Sequence, residues 1–175
     1  MGQPVSAWWR RNGIALLVLA VLVPVGGIGI AQHERTALSG SGEVPVPASA
    51  SGGVDLAGIT VGPARAEFDS VANAPTGTRV VTVHLPIDTH GDDMSCLSPL
   101  LRETEGLQRT WRESALELGL DSFDAERPTS CPMDAGRWFT LVTSYLVPVD
   151  ATGPFYVDLT WADALPEFAR LRVQP

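Results

Sequence analysis

The chain has 175 residues, 45% of them hydrophobic, and its 20 acidic and 12 basic residues leave a formal net charge of −8. It holds no run of basic residues of the kind that phosphate contacts require, so nucleic acid is not an expected partner. Every basic residue is arginine, which reads as the codon bias of a GC-rich bacterial genome and not as a chemical requirement.

Residues 1–12 precede a run of 19 uncharged residues, Gly13 to Ala31. A helix of that length measures roughly 28 Å, close to the hydrocarbon thickness of a bilayer. Arg10 and Arg11 lie before the run, whereas His33-Glu34-Arg35 after it carries no net charge at neutral pH. The positive-inside bias therefore expects residues 1–12 in the cytoplasm and the chain beyond residue 31 outside. Trp8 and Trp9 suit the headgroup layer, where an indole keeps its N–H wet and its ring in the apolar boundary. Residues 13–31 are thus expected to be the retained signal-anchor of a single-pass plasma-membrane protein. The alternative is a signal peptide with Ile14 to Val23 as its apolar region and Gly29-Ile30-Ala31 as its small-x-small site, giving a protein secreted after cleavage behind Ala31.

Residues 32–53 are rich in Ser, Gly, Ala and Pro, show no apolar periodicity, and are expected to be a flexible linker. Within them Val44-Pro45-Val46-Pro47 favours extended polyproline geometry. Ten arginines face all 20 acidic residues in the part beyond the apolar run, a net charge of −10.

Residues 54–175 are enough for one independently folding domain. Val81, Val83, Leu85 and Ile87 alternate along Thr78 to Ile87, as do Phe139 to Val147 and Phe155 to Trp161, the pattern of half-buried strands. Further strands are expected at Val54 to Val61, Ala64 to Phe68, Leu100 to Thr104, Leu107 to Trp111 and Ala169 to Val173, with Glu105-Gly106 as a hairpin turn. Residues 150–154, DATGP, read as a turn between two strong strands, and Glu113 to Leu118 as one or two helical turns ending at Gly119. Eight short strands without crossover helices point to an all-β, antiparallel two-sheet sandwich of immunoglobulin-like architecture.

Cys96 and Cys131 are the only cysteines, both on the expected exterior side, and are read as one disulfide. They lack the C-x-x-C spacing of a redox pair or thiolate metal site. Asp88, His90, Asp92 and Asp93 crowd the loop DTHGDD, where alternating oxygens would suit calcium. The loop misses the EF-hand glycine and distal glutamate, so a solvated acidic turn is expected. His84 falls on the opposite strand face from Val83 and Leu85, and Trp111, Trp138 and Trp161 are expected in the core or on sheet faces, an exposed pair being the alternative as a sugar platform. G-x-S-x-G and H-E-x-x-H are absent from the sequence, and no catalytic, cofactor or metal residue is assigned.

The segments W-W-R-R-N-G, T-R-V-V-T-V, L-R-E-T-x-G-L-x-R-x-W, Y-L-V-P-x-D-A-T-G-P-F and L-P-E-F-A-R-L resemble a group of uncharacterised small membrane-anchored proteins of actinobacteria. The resemblance covers most of the chain and implies a single-pass protein with an exported β-domain. It brings no catalytic or binding residues. The expected function is a membrane-tethered module that binds another protein of the cell envelope; the alternative is an exterior enzyme or a ligand-, glycan- or metal-binding protein.

Overall fold

The computed structural model describes residues 12–13, 17–20, 22–24, 44–69, 74–120, 127–132 and 136–174. The chain divides into two units, Met1–Gly40 and Ser41–Pro175. In the first, the described residues have helical backbone, and no helix among them is long and apolar enough to cross a membrane. Most of the expected 13–31 span, the tail before Asn12 and linker residues 32–43 lie outside the described residues.

Among its described residues the second unit has ten strands: β1 (Val44–Pro47), β2 (Val54–Leu56), β3 (Ile59–Val61), β4 (Arg65–Asp69), β5 (Thr78–Asp88), β6 (Leu100–Glu103), β7 (Thr110–Trp111), β8 (Trp138–Pro148), β9 (Phe155–Leu159) and β10 (Glu167–Arg172). One sheet has the order β1-β10-β9-β6-β7. In the other, β5 pairs with β3 and β4 along one edge and with β8 along the other. The chain changes sheet between β1 and β2, between β5 and β6, between β7 and β8, and again between β8 and β9.

The alternation read in the sequence sets the interior. Val81, Val83, Leu85 and Ile87 stand beside Tyr145, Thr143, Leu141 and Phe139 on one face of the β5–β8 ladder. They join Leu101 of β6, Phe155, Val157 and Leu159 of β9, and Ala169 and Leu171 of β10 in one apolar core. Strands are forced into this register because a slip of one residue would turn the whole apolar set outward. Trp161, fully buried just after β9, closes the core at one end. At the other end Arg79, which shares the inward parity of Val81, lies between the rings of Phe68 and Phe155, 4.8 and 5.9 Å from their centroids, and donates from Nη2 to the Ala151 carbonyl.

The opposite face of β5 and β8 is also covered: Val80, Thr82, Val142 and Ser144 are buried, and the Thr82 and Ser144 hydroxyls meet across the strands at 3.2 Å. The connection from β7 to β8 closes the free edge of β8. Ser114 donates its N–H to the Ser144 carbonyl, and Val142 donates to the Pro128 carbonyl. The turn expected at 113–118 forms and ends in a Schellman arrangement, with Leu120 N–H on Ala115, Gly119 N–H on Leu116, and Gly119 at φ +70°.

Three differences from the sequence reading have local causes. Val44–Pro47 is not linker but strand β1, parallel to β10, so the sandwich is not purely antiparallel. The V-P-V-P alternation makes a one-sided strand: Val44 and Ala48 donate N–H groups to Pro166 and Arg170, while Pro45 and Pro47 leave the outer edge without donors. Val54 to Val61 is not one strand but the hairpin β2–β3, turned at Ala57 and Gly58, both at positive φ. The strand expected from Leu107 begins at Thr110, because Gly106 and Gln108 take positive φ in the hairpin turn. Gly62, at φ +95°, turns the corner into β4 where any Cβ would overlap Leu171.

Leu85→Ala, which opens a cavity between the sheets, should lower unfolding free energy by about 3 kcal/mol in denaturant titrations. Val46→Asp, which sets a charge under β1, should cost about 1 to 2 kcal/mol if the V-P-V-P segment is a strand, and nothing if it is linker.

Candidate functional site

The acidic loop sits where β5 ends, beside the β2–β3 hairpin and the start of β8. Asp88 is the last residue of β5 and only 4% exposed. Its carboxylate receives Arg137 Nε at 3.0 Å and Nη2 at 3.2 Å, and the His90 backbone N–H at 2.9 Å. The Arg137 hydrogen bonds hold Asp88 below the usual carboxylate range, against the cost of desolvation. Asp92 and Asp93 are exposed, and among the described residues no group of three or more His, Cys, Asp and Glu side chains is placed to hold a metal.

His90, 48% exposed and at φ +55°, joins Asp88 to the hairpin. Its Nδ1 lies 3.3 Å from Asp88 Oδ2, and its Nε2 lies 3.1 Å from Thr60 Oγ1. A hydroxyl, an imidazole and a carboxylate in that order have the outline of a nucleophile, its base and the group that orients the base. The proton positions oppose that use. Thr60 gives its hydroxyl hydrogen to Asp55 Oδ1 at 2.6 Å, so His90 has no hydroxyl proton to take. Arg137 Nη2, 3.3 Å from His90 Nδ1, also neutralises the carboxylate that would stabilise an imidazolium. The cluster is a polar clamp joining hairpin, loop and β8.

Cys96 and Cys131 are joined, with 5.4 Å between Cα atoms. Cys96 bridges to Trp161, flanked by hydrogen bonds from Leu97 to Thr160 and from Ala162 to Ser95. The bond therefore ties the β7–β8 connection to a segment already fixed beside the core. His84 lies half-buried on the outer face of β5. Trp161 is buried, Trp111 is half-buried edge-on to Phe155, and Trp138 is 67% exposed beneath Arg137. Those three indoles do not make the pair of exposed rings that a sugar platform needs.

Two ionic clusters were not foreseen. Glu103, buried on the inward parity of Leu101, accepts from Arg109 Nε at 3.0 Å and from the backbone of Thr152 and Gly153, while Arg109 also reaches Asp150. The Arg109 hydrogen bond holds the Glu103 carboxyl below its usual range. On the outer face of the β9 sheet, Asp158 accepts from Arg102 Nε at 2.9 Å and from Arg170 Nε and Nη2, both at 2.8 Å. Strand parity places Glu103 inward and groups the other three outward, but only the register brings them together.

Comparison of the chain with protein-family models, curated proteins and solved structures finds no match.

With a 35-residue separation, the chain-entropy model assigns the Cys96–Cys131 bond roughly 3 to 4 kcal/mol. Cys96→Ser should lower stability by about 2 to 4 kcal/mol, and mass spectrometry of the unreduced protein should find no free thiol. Asp88 and Glu103 both have depressed folded values, so the stability they contribute is present above their ordinary values of 3.8 and 4.5 and is lost as pH falls through the folded ones. Unfolding titrations should show that loss below about pH 4, and Asp88→Asn with Glu103→Gln should flatten it.

Proposed function

We propose that the chain is a membrane-anchored module of the cell envelope whose exterior domain binds a protein partner. Residues 13–31 act as the retained anchor of a single-pass plasma-membrane protein, with residues 1–12 in the cytoplasm. The uncharged run and the arginines before it support that topology. The domain is of immunoglobulin-like order. The pairings β4–β5, β5–β8, β6–β9 and β9–β10, with a parallel strand at the β10 edge, support this reading. Likeness to immunoglobulin domains describes architecture and carries no activity.

The observation that carries the binding function is the apolar surface at the loops. Trp138 is 67% exposed and rests against an arginine, and Leu97 and Leu165 are exposed at the same end of the sandwich. Tryptophan and arginine dominate the energetic centres of protein interfaces. A disulfide and the Asp88 clamp hold that end rigid, which reduces the entropy lost on binding. Tethering adds to this by raising the effective concentration of membrane partners.

A lysine-free chain offers few amines but many carboxylates, so cross-linking in intact membranes should use carboxylate-coupling reagents. Wild-type chain should yield a reproducible partner, and Trp138→Ala should reduce the yield by about tenfold. Turnover of an envelope substrate, abolished by one carboxylate substitution, would replace the binding reading with the enzyme. An export-dependent reporter fused after Pro175 should be active; a mature N-terminus at Gln32 would replace the anchor with a cleaved signal.

A further inference from the structure

The part of the chain beyond the apolar run carries a net charge of −10, yet the outer face of the β9 sheet is locally basic. Arg102 of β6, Tyr156 of β9 and Arg172 of β10 stand in one cross-strand row, and Leu100, Asp158 and Arg170 in the next. Three guanidiniums share this face with one carboxylate, and that carboxylate is 6% exposed beneath them. Asp158 occupies Arg170 and the Nε of Arg102. Among the described residues the terminal nitrogens of Arg102 make no hydrogen bond, the guanidinium of Arg172 makes neither a hydrogen bond nor an ion pair, and Arg172 is exposed.

We propose that this face docks an acidic peptide segment of the protein partner. The proposal rests on the binding reading above and adds a second, charged contact, on a face of the other sheet separate from the Trp138 loops. Asp158 shows that carboxylates fit these arginines, whose planar forks suit carboxylate oxygens. It also fixes Arg102 and Arg170, so little side-chain freedom remains to be lost. Arg102 and Arg172 are two strands apart, about 10 Å, close to the ~9 Å between residues i and i+3 of a polyproline II segment, whose three-residue turn brings both side chains to one face. Half-buried Tyr156 lies between them as an amphipathic contact.

Strand addition is the less suitable mode here. β1 presents prolines, β7 has two residues and β2 three, the outer edge of β8 is capped by Ser114 and Pro128, and Ala64 and Ala66 of the β4 side are bonded to Gln174. Recognition is left to faces and loops. On a chain that repels acids overall, a local basic face also selects the orientation of approach.

The test uses the full chain in detergent micelles and a fluorescent 12-residue peptide with Glu at every third position. Binding should fall as salt rises, and the Gln version of the peptide should not bind. Arg172→Glu should weaken binding by about fivefold or more, whereas Arg65→Glu, the same charge change on the other sheet, should alter it by less than about twofold. Equal weakening by both variants, or equal binding of the Glu and Gln peptides, would overturn the proposal. Tighter binding of inorganic polyphosphate than of the Glu peptide would overturn it in favour of a phosphate polymer. Cross-linking in membranes separates this proposal from the reading beneath it. A partner captured equally by wild type and Arg172→Glu overturns the docking face and leaves the binding module standing; no partner with either chain overturns both.

Discussion

The 11-residue pairing of β5 with β8 is the constraint on which the other features depend. Its inward row meets the β9 sheet, and its outer row is covered as well, so neither strand can shift register without exposing a buried set. Among the described residues, the loops that carry the Asp88 and the Glu103–Arg109–Asp150 clusters lie at the two ends of this ladder. Asp88 and Trp138 are its last pair at one end, where the clamp and the disulfide lie. Arg79 and Val147 stand near the other end, where the β8–β9 turn is held by Glu103 and Arg109.

Charged residues finish the core instead of interrupting it. Arg79 and Glu103 both occupy inward positions, but each is placed at the end of its strand, where a guanidinium can lie against rings and a carboxylate can accept backbone N–H groups. Such pairing offsets desolvation that an unpartnered charge could not survive. Arg79 Nε remains without a hydrogen-bond partner among the described residues, consistent with a side chain held mainly by its aromatic neighbours.

Sequence periodicity was sufficient for the long strands because both alternate over many residues and bury one full row. It also placed the 105–106 hairpin turn and the helical turn before Gly119. It failed at Val44–Pro47, where prolines signal a linker unless a neighbour on one side supplies all the pairing, and that neighbour is 123 residues away in the chain. Within DTHGDD, Asp92 and Asp93 are exposed, whereas Asp88 is buried because its partner Arg137 lies 49 positions further on, outside the local pattern. Arg102, Asp158 and Arg170 were legible as polar-face residues of three separate strands. Their convergence depends on sheet order, which local pattern does not contain.

The parallel entry of β1 has a mechanical consequence. Because β1 runs in the same direction as β10, Val44 and Arg172 lie at opposite ends of the pair. Tension between the two ends of the domain then runs along the strands, and the bonds from Val44 to Pro166 and from Ala48 to Arg170 are loaded side by side. They must be sheared together, whereas strands pulled apart from a shared end are unzipped one bond at a time. A domain held at its N-terminal side and gripped elsewhere would resist force through this short proline-edged strand.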